Sequence, residues 1–391
     1  MKVLYIHQYF KIPEEGGSVR SYYLASGLVR KGMEVEMITA HNKPTYQEIN
    51  IEGIKVHYLP VFYENGFSFK QRILGFFKFA RLAFIKALSI KNVDICYVMT
   101  TPLTTGLVAL GLKWFKKKPY IFEVGDLWPQ VPADMGVIKN RFFKSILYWF
   151  EKLCYEQSIG VVALSSGIAD YIKTKVPDKQ IEIIPNIADT AFFSPEEKKP
   201  ELLEKYGIRN HFVISYTGTL GVANHLEYLL DAAGSAVGLN VKFLIIGDGA
   251  EKEKLQEIAS NRKLSNVVFL PAGNKQKAQE ILNISDAVYI SFLNVDSLHT
   301  GSPNKLFDGL ASGKLIITNL CGWIKGLIHT NDAGFSYKPE DTKAFVENLL
   351  LFINNKELLR SFQKNARRLA ENSFSLEMLS ERQEELIRVN K

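Results

Sequence analysis

The sequence predicts an α/β protein built from two Rossmann-like domains. Short apolar runs alternate with longer amphipathic ones along the chain. That rhythm breaks once, in a Pro- and charge-rich stretch near residue 190, and then restarts. A length of 391 residues suits two or three domains. Strand–helix alternation of this kind builds parallel sheets with helices on both faces.

Taken in order, Lys2–His7, Glu34–Thr39, Lys55–Leu59, Asp94–Met99, Tyr120–Glu123, Gly160–Leu164 and Ile181–Ile184 read as strands of a first domain over residues 1–188. DTAFFSPEEKKP supplies a linker over 189–200. Phe212–Tyr216, Val241–Ile246, Asn266–Leu270, Ala287–Ser291, Leu315–Thr318 and Gly334–Tyr337 read as strands of a second domain over 201–374. A last helix over 375–391 is expected to pack back on the first domain. Ligands of open α/β sheets sit beyond the carboxyl ends of the strands, so function is sought in the loops that follow strands, facing a cleft between the domains.

Composition excludes several classes. The three cysteines, Cys96, Cys154 and Cys321, are far apart and form no zinc-type spacing, which fits a reducing compartment. Lys2, His7 and Gln8 interrupt the N-terminal apolar run, so it reads as a buried strand rather than a signal peptide. The longest uncharged run, Ile95 to Leu112, contains Pro102 and two glycines and reads as strand, loop and helix start rather than a membrane span. A cytoplasmic protein is expected.

The net charge of +7 is uneven. Residues 1–190 hold 24 basic and 17 acidic side chains, and the remainder hold 24 of each. FSFKQRILGFFKFARLAFIKALSIK, residues 67–91, has six basic residues and no acid. At 100° per residue, Phe69, Ile73, Phe76, Phe77, Ala80, Ala83, Phe84 and Ala87 share an arc of about 120°, a face for the fold. The other side mixes Lys70, Arg72, Lys78, Arg81 and Lys86 with Leu74, Phe79, Leu82 and Ile85. That mixture suits peripheral attachment to an anionic membrane surface. No nucleic-acid module accompanies the charge, so nucleic acid is not expected as a partner.

Four loops could carry chemistry. QYFKIPEEGGSVR places Gly16 and Gly17 before a helix, where bare backbone can approach an anion. ISYTGTLGVANH places Gly218 and Gly221 at the equivalent point of the second domain. IIGDGAEK has Gly247 and Gly249 after a strand but Lys252 where a dinucleotide fingerprint needs its third glycine, so these glycines could equally shape a turn. In HTGSPNKLFDGLASGK, Ser302 reads as an N-cap, Pro303 as the first helical residue and Lys305 as a cation in the first turn. The helix dipole disfavours a cation there, unless an anion shares the site. Lys305 and free N–H groups could hold a diphosphate, with Asp308 one turn on to accept from sugar hydroxyls.

HQYF…GGSVR, EVGDLWPQ, IPNIADTAFFSP, YTGTLG, IIGDG and SPNKLFDGLASGK, in that order and spacing, resemble the family 4 retaining glycosyltransferases of GT-B fold, in the branch that builds bacterial O-antigen, lipopolysaccharide and capsule. The resemblance implies a nucleotide-sugar donor, UDP-linked by default and carrying an N-acetylated amino sugar, bound mainly by the second domain. It implies donor contacts from Gly16, Gly17, Gly218, Thr219, Gly221, Asn224, Gly247, Gly273, Ser302, Pro303, Asn304, Lys305, Leu306 and Asp308. Thr300 and Asp308 stand where the family has a Glu pair, and Thr219 and Asn224 where the wider family has Arg and Lys, which leaves Lys305 as the main cation for the departing diphosphate. Asp126 and Glu123 of EVGDLWPQ are candidates to orient or deprotonate the acceptor hydroxyl, with Gly125 in place of the usual Arg. The acceptor implied is a polyprenyl-diphosphate-linked saccharide at the inner face of the cytoplasmic membrane. With no Asp-x-Asp motif in a suitable loop and no His cluster, no obligatory metal or other cofactor is expected. A non-hydrolysing sugar-nucleotide 2-epimerase and a non-catalytic glycan-assembly scaffold are the alternative readings.

Overall fold

The computed structural model describes residues 1–15, 17, 19–64 and 67–389. The chain divides into two compact units. The first comprises Met1–Pro185, Thr300–Ser302 and the chain from Leu376 onward, and the second Asn186–His299 and Pro303–Ser375.

The sheet of the first unit is built from β1 (Lys2–Ile6), β2 (Glu34–His41), β3 (Gln47–Ile51), β4 (Ile54–Pro60), β5 (Ile95–Met99), β6 (Tyr120–Val124), β7 (Gly160–Ala163) and β8 (Ile181–Ile183). Their order is β3-β4-β2-β1-β5-β6-β7-β8. The pairings are parallel except that of β3 with β4. Central strands such as ICYVM and YIFEV are buried throughout, as strands covered on both faces must be. Strand β3 is the element that sequence periodicity did not reveal. QEINI is mostly exposed and polar, and it becomes a strand only by pairing with β4 through a tight turn at Glu52 and Gly53, both at positive φ.

The helix Phe69–Ser89 starts at a capping box, in which Ser68 Oγ accepts from Gln71 N–H and the Gln71 side chain accepts from Ser68 N–H. Its buried face differs from the sequence expectation. Phe79, assigned to the membrane side, is 0% exposed in the core beside Ala80 and Ala83, whereas Phe77 is 53% exposed. The helix packs on β2, β4 and the helix Thr105–Lys116 at once, so positions 76, 79, 80, 83 and 87 turn inward. Lys70, Lys78 and Arg81 are exposed. Arg72 is half-buried, donating from Nε to Phe67 C=O, and Lys86 lies 5.0 Å from the Tyr46 ring centroid.

The last helix, Leu376–Val389, packs on Arg20–Arg30 within the first unit. Gly27 makes that approach possible, since a Cβ there would lie 2.3 Å from Ser380 Oγ. Lys31 and Glu384 pair at 2.8 Å along the same contact.

The sheet of the second unit is all parallel, from β9 (Phe212–Thr217), β10 (Val241–Ile246), β11 (Val267–Leu270), β12 (Ala287–Ile290), β13 (Leu315–Thr318) and β14 (Gly334–Ser336). Its order is β11-β10-β9-β12-β13-β14. The change of unit falls between Pro185 and Asn186, and the stretch read as a linker is anchored at its start. Phe193 is buried, and Arg367 donates to the carbonyls of Phe193 and Thr190. Among the described residues, no helix is long and apolar enough to cross a membrane.

Candidate active site

In each sheet the direction of winding reverses beside a central strand, β1 in the first unit and β9 in the second. The loops leaving such a switch point at the carboxyl ends are where open α/β sheets bind ligands.

In the second unit, the loop after β12 reaches the loop after β9, with Leu293 N–H donating to Ala223 C=O at 2.8 Å. It continues into the helix Asn304–Ala311. Leu306, Phe307, Leu310 and Ala311 fasten that helix in the core, which leaves Lys305 and Asp308 on its other side. Lys305 Nζ donates to the Tyr216 hydroxyl at 2.8 Å and sits 4.2 Å from the centroid of that ring. The Phe292 ring lies 5.8 Å away. Gly218 completes the cradle. Its φ is +134°, and a Cβ on it would be 3.4 Å from Lys305 Cε. An ammonium has three donors and Tyr216 accepts one. No salt bridge to Lys305 forms among the described residues.

Desolvation pushes the Lys305 pKa down to about 7, against the opposing pull of Asp308. Desolvation likewise lifts Asp308 to about 7, countered by Lys275 and reinforced by Asp189. An anion arriving beside Lys305 would restore its charge, because a nearby opposite charge favours the ammonium. Lys275 itself pairs with Asp189 and lies 4.1 Å from the Phe192 ring centroid. Tyr216 and the Asp189–Lys275 pair were not found by sequence reasoning. Tyr216 reads as one more apolar strand residue, and Asp189 and Lys275 are far apart in the chain.

Other residues of the expected donor set divide by role. The helix starts one residue later than the sequence suggests, with Pro303 in place of Ser302 as the N-cap and no side-chain cap bond from it. Ser302 groups with Thr300 in the first unit, where Ser165 Oγ donates to Thr300 C=O. Leu306 is core and its N–H is bonded to Pro303 C=O, so it offers a ligand nothing. Gly247 serves packing, since a Cβ there would lie 1.8 Å from Gly218 C=O. Loop meets loop at this point, through Gly218 N–H to Ile246 C=O and Leu220 N–H to Asp248 C=O, each 2.9 Å. Gly247→Ala is therefore expected to displace the Gly218 loop and weaken UDP binding as well as stability. Calorimetric titration and thermal melting check this, and an unchanged affinity would remove the loop from the site. Gly273 lets the turn into the helix Lys275–Ile284 close, where a Cβ would meet Lys277 Cβ at 2.5 Å. Gly221 has neither a positive φ nor a close contact, Thr219 and Asn304 are exposed, and Asn224 is buried in a short 3-10 turn.

In the first unit, Gly17 has φ +86° with open space where a Cβ would be. Gly16 lies outside the described residues. Asp126 is exposed after β6. Although the side chain reaches solvent, desolvation by the protein packed around its carboxyl raises its pKa, against a hydrogen bond with Thr101. Gly125 N–H donates to Thr100 Oγ1 at 3.1 Å, so this loop is tied to the one after β5. Glu123 does not fit its expected role. It is 0% exposed, and both of its oxygens are occupied by Arg20, at 3.0 and 3.2 Å, and by the Tyr97 hydroxyl. Arg20 goes on to donate to the carbonyls of Ile184 and Pro185. A carboxylate neutralised and enclosed in this way is an element of structure.

Residues 15–187 match the family profile described as a glycosyl transferase 4-like domain, and residues 198–369 match that of glycosyl transferases group 1. The chain belongs to the group 1 glycosyltransferases. Its fold is GT-B. The glycosyltransferase is 25% identical over 248 residues to the UDP-Gal:alpha-D-GlcNAc-diphosphoundecaprenol alpha-1,3-galactosyltransferase of Escherichia coli. That match spans 61% of this chain and 62% of the relative, less than two thirds of its length. It is 26% identical over 313 residues to the capsular polysaccharide biosynthesis glycosyltransferase CapM of Staphylococcus aureus, spanning 72% of this chain and 79% of that one. Among solved structures, sucrose-phosphate synthase from Thermosynechococcus elongatus superposes with a TM-score of 0.81 at 16% identity, covering 99% of this chain and 98% of the other.

Proposed function

We propose that the protein transfers a sugar, with retention of configuration, from a UDP-sugar to a polyprenyl-diphosphate-linked or oligosaccharide acceptor in the biosynthesis of a bacterial surface polysaccharide. The observation that carries this reading is the Lys305 ammonium, cradled by Tyr216 and Gly218 at the carboxyl end of β9. Breaking a sugar–diphosphate bond leaves negative charge on the departing group. A preorganised cation in a partly desolvated site stabilises that charge where it develops. Asp308, one helical turn from Lys305, is the residue we expect to accept from donor hydroxyls, and Asp126 is the remaining acidic candidate for the acceptor hydroxyl. The Escherichia coli relative supports the UDP donor and the lipid-linked acceptor through its own named substrates. An N-acetylated amino sugar is the donor we expect.

Peripheral attachment to the inner face of the cytoplasmic membrane belongs to the same reading. Exposed Lys70, Lys78 and Arg81 stand on the helix Phe69–Ser89 with exposed Leu74, Phe77 and Ile85. No metal is required in this proposal, since Lys305 supplies the cation.

The test is transfer from a panel of sugar nucleotides to a short-chain polyprenyl-diphosphate saccharide, with the anomeric configuration of the product determined by NMR. UDP-sugars are expected to be used with retention, and EDTA to leave the rate unchanged. Epimerisation of UDP-GlcNAc without any acceptor, or loss of transfer in EDTA that Mg²⁺ restores, would overturn the corresponding part.

A further inference from the structure

We propose that a groove on the first unit, formed by the helices Phe69–Ser89, Thr105–Lys116 and Arg141–Gln157, holds the isoprenoid chain of the acceptor lipid. The inference rests on the acceptor class proposed above and gives that acceptor's hydrocarbon a place on the chain. The groove measures about 510 Å³ and its lining is apolar save for Arg81. Pockets of about 300–1,000 Å³ hold small ligands. Ala80 and Gly111 are the small residues of the lining, with Phe84, Trp114 and Trp149 among the large ones. Gly111 is needed for this shape, because a Cβ there would lie 2.6 Å from the Phe84 ring.

The mouth is rich in exposed rings, with Trp114 57%, Phe115 76% and Trp149 63% exposed. Single exposed apolar side chains are ordinary, but a contiguous set across three packed helices marks an interaction site. Charge says what kind. Lys78, Arg81, Lys116 and Arg141 on the same helices are exposed. The acids of these helices are two. Glu151 is buried and accepts from Tyr155, and Glu156 lies 3.6 Å from Lys152. A hydrocarbon with an anionic headgroup complements an apolar groove in a cationic rim.

Calorimetric titration of the full chain with farnesyl diphosphate, below its micellar concentration and without vesicles, tests the proposal. Inorganic pyrophosphate and phosphatidylglycerol vesicles form separate arms. Farnesyl diphosphate is expected to bind at least about tenfold more tightly than pyrophosphate, and Trp114→Ser/Trp149→Ser to lose about tenfold of that affinity. Both sites are exposed, so the variant's melting temperature is expected to stay unchanged. Equal binding of pyrophosphate, an unaffected variant, or binding to vesicles alone would overturn it, the last making the patch a membrane face without a chain site. If the variant transfers sugar to a lipid-linked acceptor with unchanged KM, the groove fails and the proposed function stands. Chain binding without transfer to any lipid-linked acceptor gives the opposite result.

Discussion

Lys305→Ala is expected to lower kcat/KM for the donor by about 10²- to 10³-fold, the usual loss when one preorganised donor to a developing anion is removed. The fold is expected to survive, because among the described residues the Lys305 ammonium bonds only the neutral hydroxyl of Tyr216, and removal of a poorly solvated ammonium relieves a cost. A pH experiment separates this role from a structural one. With its pKa near 7, free Lys305 is partly deprotonated above neutrality. A bound diphosphate restores the ammonium, so binding takes up a proton, and UDP affinity is expected to fall as pH rises above 7, by up to about tenfold per unit. The sign for stability is the reverse. Between about 7 and 10.5 the unfolded chain binds the Lys305 proton more readily than the folded one, so this residue makes stability rise with pH across that window. Lys305→Met is expected to remove this residue's share of both pH dependences and so make each profile shallower. Undiminished turnover in Lys305→Ala, or a UDP affinity as pH-dependent in Lys305→Met as in the parent, would remove the residue from the site.

Glu123→Ala is expected to destabilise the first unit by about 3–5 kcal/mol, the penalty for leaving the other half of a buried ion pair uncompensated. Arg20 and Glu123 side chains are 2% and 0% exposed, and Tyr97, Ile184 and Pro185 depend on the same pair. At roughly 2–4 °C per kcal/mol for a unit of this size, melting falls by about 6–20 °C. Arg20→Ala is expected to cost a similar amount, and the double variant much less than the sum, because residues of one network couple. Thermal melting of the two single variants and the double measures this. A Glu123→Ala protein that melts like the parent but no longer uses its acceptor would return Glu123 to the reacting groups, where its position in EVGDLWPQ had suggested it belonged.

That pair illustrates how much of the site could be read in advance. SPNKLFDG singles out Lys305 as a candidate because a cation in the first turn of a helix is out of place unless an anion joins it, an argument that needs only local order. Glu123 stands in an equally suggestive loop, but its fate depends on Arg20, 103 positions away, which no local pattern names. Gly247 is a case in between. The glycine is visible, yet whether it serves a ligand or a neighbouring loop is decided by the 1.8 Å that would separate its Cβ from Gly218 C=O. The basic helix Phe69–Ser89 divides in the same way, since its existence and charge were legible while the inward turn of Phe79 was set by three packing partners at once.

By itself the sequence determined the alternation of strands and helices, the restart that makes two units, the basic bias of the first and the placement of Lys305 and Asp308 one turn apart. These are properties of hydrophobic period and short-range spacing, which the chain carries wherever it folds. Only the tertiary structure decided that QEINI is a strand, that Glu123 is enclosed and Asp126 open, that Tyr216 supports Lys305, and that three helices line one apolar groove. Each of those depends on which distant segment comes to lie alongside, and burial and hydrogen-bond partners come into being only with that contact.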